Sequence, residues 1–231
     1  MRVDVDIATG TTDRHVVRWI NEGLDEPHKH FLIHSGLVEP FRQLRDRAAS
    51  KGYDLCVCSG FRSFQRQTEI WNAKVSGHRP TLDHESRPMS LDGLTDWQKA
   101  EAVLRWSALP GASRHHWGTD LDVYDAAAMP RGYQLRLTPE ETDRGGMFAP
   151  MHDWLDTQMD INNGFFRPYH SDTGGIAPER WHLSYAPLAR HFEAVLTPQL
   201  LAERLHDQKI CLSDTLIGHL PVIYERFIRR R

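Results

Sequence analysis

An α+β fold is predicted by three features of this 231-residue chain. Its candidate strands are short, its strands and helices come in mixed order, and no internal repeat is visible. A doubly wound sheet would instead show strands alternating regularly with helical crossovers. The length suits one well-cored domain, or one domain with an appendage.

The elements follow in order. In "SGLVEPFRQLRDRAASKG" the residues Leu37, Val38, Phe41, Leu44 and Ala48 share one helical face, and Gly52 is a natural stop. "YDLCVC" reads as a buried strand closed by a Ser59-Gly60 turn. "RSFQRQTEIWNAKVSG" is helical, with Ser63 as its cap and Gly77 at its end. The polar, Pro- and Gly-punctuated stretch 78–94 is expected to be a long surface loop beside a site, with His78, Asp83 and His84 facing solvent. Thr95 and Gln98 have capping-box spacing, which starts a helix running to about Trp106. Residues 119–124 alternate as a strand. A helix near 150, a strand at "GFFRPY", a loop, and a short strand at "RWHLSY" come next. The remaining chain is helical, opened by Thr197 as cap with Pro198 in the first turn, and again by Pro221.

Composition sets limits on function. The chain is 40% hydrophobic and 26% charged, with a net charge of -3, which gives no global electrostatic case for nucleic acid. The "RFIRRR" terminus fits a solvated helix end, where arginine complements the helix dipole. Three cysteines make no disulfide framework. Cys56 and Cys58 share a strand face and read as small buried apolar residues, and the odd count fits a reducing compartment. No run reaches the roughly 18 apolar residues needed to span a bilayer, and acids stand where a signal peptide has its apolar core. The expectation is a soluble, cytoplasmic chain as written, with the cell envelope as the alternative.

Two stretches gather chemistry. In "SRHHWGTDLD", Gly118 allows a tight turn before a strand on which Asp120 and Asp122 point to one face. A histidine before that turn can fold back to meet Asp122. Adjacent residues of an extended segment point opposite ways, so only one of His115 and His116 need do so. Mixed imidazole and carboxylate donors suit zinc. In "PERWHLSY", Glu179 and His182 lie three apart. Water activated at a metal needs a nearby carboxylate to take its proton without occupying the metal, so Glu179 fits a base and His182 a third ligand. In "SGFRSFQRQ", Arg62 follows a strand-to-helix turn, where a guanidinium could hold a substrate carboxylate or an oxyanion.

Together these stretches resemble the zinc D-alanyl-D-alanine carboxypeptidases of the VanY-like type. Their wider group includes D-Ala-D-Ala dipeptidases, murein endopeptidases and the hedgehog signalling domain. The S-x-H-x-x-G-x-A-x-D pattern is met by Ser113, His115, Gly118 and Asp122, and E-P-W-H by Glu179, Trp181 and His182. S-G-Y-R-S-x-x-x-Q is met by Ser59, Gly60, Arg62, Ser63 and Gln67. The likeness spans roughly residues 35 to 190. It implies a small central antiparallel sheet flanked by helices, Zn2+ on His115, Asp122 and His182, and Glu179 with Arg62 in the catalytic machinery. It further implies Gln67, Ser113, Asp120 and Trp181 as substrate contacts and a peptidoglycan stem peptide as substrate. A peptidase domain is expected over 1–190, with 191–231 as a helical extension packed on it.

Three departures stand out. Asp120 replaces the pattern's alanine on the face of ligand Asp122, where it is expected to orient His115 by hydrogen bond or to meet a cationic substrate group. Arg180 replaces proline, and Phe61 replaces tyrosine. The reading is a D,D-carboxypeptidase. Its rivals are L,D-carboxypeptidase, dipeptidase or endopeptidase action at the same centre, a zinc-bearing binding module without turnover, and a structural domain without metal. Retention of Glu179 weighs against the binding module, since a purely structural zinc needs no base.

Overall fold

The computed structural model describes residues 2–21, 30–206 and 209–229. The chain opens with helix α1 (Arg2–Ala8) and a hairpin of β1 (Val16–Ile20) and β2 (His30–His34). The sequence predicts no element there. Then come α2 (Val38–Ala49), β3 (Leu55–Ser59), α3 (Phe64–Val75), the short strands β4 (Thr81–Leu82) and β5 (Pro88–Met89), and α4 (Asp96–Leu104). A single helical turn, Arg114–Trp117, leads into β6 (Asp120–Asp125). Short α5 (Pro139–Thr142), α6 (Ala149–Asp156), β7 (Phe165–Phe166) and β8 (His182–Tyr185) follow. The chain closes with α7 (Ala186–Val195), α8 (Pro198–His206), α9 (Ser213–Gly218) and α10 (Leu220–Ile223), the last continued by a wide turn over Tyr224–Ile228.

The predicted α+β class is the one observed: strands β3-β6-β8-β7 form one antiparallel sheet with helices around it. In the register, Asp122 lies opposite His182 and Asp120 opposite Ser184. A bulge after Val57 brings Ser59 level with Asp122. Alternation then divides the sheet. Leu55, Val57, Leu121, Val123 and Leu183 face a core shared with Phe41 and Leu44 of α2 and Met151 and Leu155 of α6. Asp120, Asp122, His182 and Ser184 occupy the opposite face.

Local rules explain most boundaries. Ser63 Oγ accepts from the Arg66 amide and starts α3. Thr95 and Gln98 form the predicted capping box. Helix α4 ends at Leu104, short of the expected Trp106, and the Trp106 indole instead donates to the Asp83 carbonyl. That bond ties down the 78–94 segment, which is a β4–β5 hairpin rather than a structureless loop. Asp83 is engaged as well, accepting from the Glu85 and Arg87 amides.

A second core joins α1, α3, α4 and the helices after β8. Phe64, Trp71, Leu104 and Trp117 pack there with Leu201, Leu205, Leu216 and Ile223. Helix α7 itself runs through position 190. In the "RFIRRR" stretch, Arg226 pairs with Glu101 and Arg229 with Glu225; Arg230 and Arg231 lie outside the described residues. Among the described residues no helix is long and apolar enough to cross a membrane. Burial pushes the Cys56 thiol up to about 12, and the Cys58 thiol donates to the Asp122 carbonyl at 3.2 Å.

Candidate metal centre

Gly118 makes the site possible. It sits at φ 65°, and a Cβ there would lie 2.8 Å from the His34 amide nitrogen and 2.7 Å from Val16 Cγ1. Only glycine lets the chain turn from the Arg114–Trp117 segment into β6 so close to the β1–β2 hairpin. The turn sends its two histidines in different directions. His115 Nε2 reaches Asp122 Oδ2 at 3.2 Å, while its Nδ1 is held by the Gly60 carbonyl at 2.9 Å. His116 points away from the centre.

On the neighbouring strand His182 Nδ1 lies 3.1 Å from Asp122 Oδ1 and 3.8 Å from Glu179 Oε2. The two imidazole rings meet edge-on, with centroids 4.9 Å apart. One donor atom each from His115, Asp122 and His182 falls within 4.8 Å of the others, and all three residues are buried. Two imidazoles and a carboxylate so arranged are a donor set zinc accepts. The residues therefore fit a bound divalent metal: the nitrogen of each histidine turned away from the cluster has its own acceptor, which frees the other one for a metal.

The electrostatics are uneven. Burial pushes Asp122 up, but the two imidazoles, His115 first, outweigh it and hold the carboxyl well below the usual range. Burial also works against a charged His182, yet its bonds to Asp120 and Asp122 raise it to about 9. Glu179 goes the other way: desolvation raises it to about 7 against the pull of His182. Its backbone amide donates a hydrogen bond to the Tyr169 carbonyl.

Arg62 lies half-buried nearby, its Nη1 donating to Gln67 Oε1 at 2.9 Å and its Nη2 to Ser59 Oγ at 3.4 Å. Gln67 is fully buried and donates onward to the Ala108 carbonyl, so it props Arg62 from behind. Lys74, two turns beyond Gln67 on the same face of α3, donates to the Trp106 carbonyl at 3.4 Å and is pushed down to about 8 by burial, with Glu179 opposing. No motif in the sequence marks this lysine. Ser113 is buried at the entry to the helical turn, and Trp181 is buried on the flank of Glu179. A cavity of about 570 Å3 beside Trp181 is also lined by His84, Trp106, Thr142, Tyr169 and Arg180.

His116 carries no expected role, and the structure gives it one. Its Nδ1 donates to the Arg62 carbonyl at 2.6 Å, and its Nε2 accepts from the Gly111 amide. Together with the hydrogen bond from the Arg62 amide to the His115 carbonyl, this locks the Arg62 loop to the Arg114–Trp117 turn.

Asp120 requires a correction. Its place in the pattern suggests that it orients His115 or meets a cationic substrate group. It is fully buried, and its Oδ1 lies 3.0 Å from His182 Nε2 and 2.7 Å from Arg114 Nε. His115 takes its orientation from Gly60 instead. Arg180, at the pattern's proline, turns away from the centre: it donates to the Thr142 carbonyl and pairs with Asp153 and Asp156, clamping α5 and α6 to the segment before β8.

The family model described as VanY, D-alanyl-D-alanine carboxypeptidase, matches residues 30–188. A Haemophilus influenzae protein described only as uncharacterized is 34% identical over 122 residues, covering 52% of this chain and 92% of that one. A D-alanyl-D-alanine carboxypeptidase of Enterococcus faecalis is 26% identical over 183 residues, covering 78% of this chain and 54% of its own length. Among solved structures, VanYB in complex with D-Alanine-D-Alanine aligns at 24% identity and TM-score 0.48, over 84% of this chain and 86% of that one.

Proposed function

Because the chain belongs to the VanY family of D-alanyl-D-alanine carboxypeptidases, we propose that it is a zinc-dependent D,D-carboxypeptidase that removes the terminal D-alanine from peptidoglycan stem peptides. The observation that carries this reading is the convergence of His115, Asp122 and His182 within 4.8 Å, with Glu179 3.8 Å from His182 and outside the donor set. Those three residues would hold the metal, which when bound polarises the scissile carbonyl and acidifies water.

The chain's own groups do the rest. Glu179 takes the proton of the attacking water and returns it to the amine nitrogen of the departing D-alanine. Burial favours the protonated form of Glu179, which suits it to hold the proton between the two halves of that task. Arg62, braced by Gln67 and Ser59, would pair with the substrate's terminal carboxylate. Trp181 and Tyr169 line the cavity that would receive the preceding residues of the stem.

Replacing Glu179 by Gln should leave zinc stoichiometry unchanged and lower kcat on a muramyl pentapeptide by about 10²–10⁴-fold. Near-normal hydrolysis by that variant would refute the role of Glu179. Assays on tetrapeptide and crosslinked stems distinguish D,D-carboxypeptidase from L,D-carboxypeptidase, dipeptidase and endopeptidase action.

A further inference from the structure

Asp120 is a full carboxylate in the floor of the sheet, and every acceptor direction it has is used. Its Oδ1 accepts from Arg114 Nε and lies 3.0 Å from His182 Nε2. Its Oδ2 accepts from the Thr119 hydroxyl at 2.8 Å and the Ser184 hydroxyl at 3.1 Å. Arg114 spans the arrangement. Besides Asp120 it donates from Nη2 to Ser184 Oγ at 2.7 Å and pairs through Nη1 with Glu193 of α7. A ladder thus runs Glu193–Arg114–Asp120–His182, with Arg114 and Asp120 at opposite ends of the Gly118 turn.

The ladder has a chemical consequence for His182. A carboxylate bonded by a guanidinium and two hydroxyls can only accept, so the proton between it and His182 resides on Nε2. The lone pair left for a metal is then on Nδ1, the nitrogen that faces Asp122 and Glu179. An alanine at 120, as in the pattern the rest of this segment follows, would leave Nε2 without this acceptor.

We propose that Asp120 is a positioning residue that fixes the tautomer and ring orientation of His182 for metal binding, with Arg114 as its buried counter-ion. This rests on the reading of His115, Asp122 and His182 as the metal centre. Asp120 touches neither substrate nor reacting atoms. Arg114 is what allows an acid at this position: it balances the charge of Asp120, which would otherwise add to those of Asp122 and Glu179.

The test is zinc affinity by competition with a chromophoric chelator, together with imidazole 15N spectra of the zinc-loaded protein. Wild type should bind one zinc, with the metal on His182 Nδ1 and a protected, downfield Nε2 proton. Asp120→Ala should weaken zinc by about 10–100-fold and expose that proton to exchange. Asp120→Asn, which keeps an acceptor oxygen and the shape, should recover part of the affinity and guards against a folding defect. The pair Asp120→Ala with Arg114→Met removes the stranded buried cation. It should remain as weak as Asp120→Ala if positioning is the role, and return to wild-type affinity if Asp120 serves only to neutralise Arg114. Return of affinity in the pair, unchanged affinity in Asp120→Ala, or zinc on Nε2 in wild type each overturns the proposal while leaving the metal centre standing. A wild-type protein that takes up no zinc overturns both.

Discussion

At the scale of single residues, the turn that carries His115 is held by contacts that leave no slack. The His116 ring is clamped between the Arg62 carbonyl and the Gly111 amide, and Gly10 presses on its open side. Gly10 has φ +73°, and a Cβ there would lie 2.3 Å from His116 Nδ1. Gly10→Ala should therefore cost about 1–3 kcal/mol, the range for overpacking a tight interior. Because His116 holds the Arg62 loop to the turn, the variant should also raise KM for the pentapeptide. Urea unfolding and steady-state kinetics read the two effects, and a variant with wild-type stability would remove Gly10 from this account.

Elements differ in how openly the sequence announces them. Helices α3 and α4 are legible from their caps, since a serine or threonine followed by the right partner states a start by itself. Thr95→Ala should lower stability by about 0.5–2 kcal/mol while leaving hydrolysis at the wild-type rate, because that cap lies on the exposed start of α4. Thermal melts and turnover check it, and a lost activity would mean that α4 bears on the site. Strand β6 is legible from alternation, and with it the shared face of Asp120 and Asp122. The β1–β2 hairpin is not: β1 buries only Trp19, so no alternating apolar pattern marks it. The choice between His115 and His116 rests on local spacing only through the motif, because adjacent positions differ merely in direction. The partners of Asp120 are set by pairings far apart in the chain, His182 across the sheet and Arg114 across a turn, and such pairings have no local signature. One signal was present: a buried acid in place of alanine calls for a cation, and Arg114 stands six residues before it.

Across the whole molecule, burial of neutral histidines couples stability to pH. His152 is fully buried, and desolvation first, then Arg167 and Arg180, pushes it down from 6.5 to about 3. His15, desolvated and beside His34, is pushed down to about 4. The unfolded chain takes up these protons near 6.5 while the folded chain refuses them. Stability from this source is complete above about pH 6.5 and is lost as pH falls toward 4, by up to about 1.4 kcal/mol per pH unit for each histidine. Glu179 and His182, whose folded values are raised, act in the opposite direction, so the test is the difference between variants. The urea midpoint of His152→Gln should fall less than that of wild type between pH 7.5 and 5, and an identical slope would remove His152 from the acid sensitivity.

The same scale holds the central claim, that the sheet, the Gly118 turn and the strand pairing exist to assemble one metal-dependent peptidase centre. Mass spectrometry of products from a defined stem pentapeptide, with and without a chelator, tests it most directly. The account predicts release of a single terminal D-alanine, loss of that reaction on chelation and its return with added zinc. An intact pentapeptide under all conditions, or hydrolysis indifferent to the chelator, would contradict it.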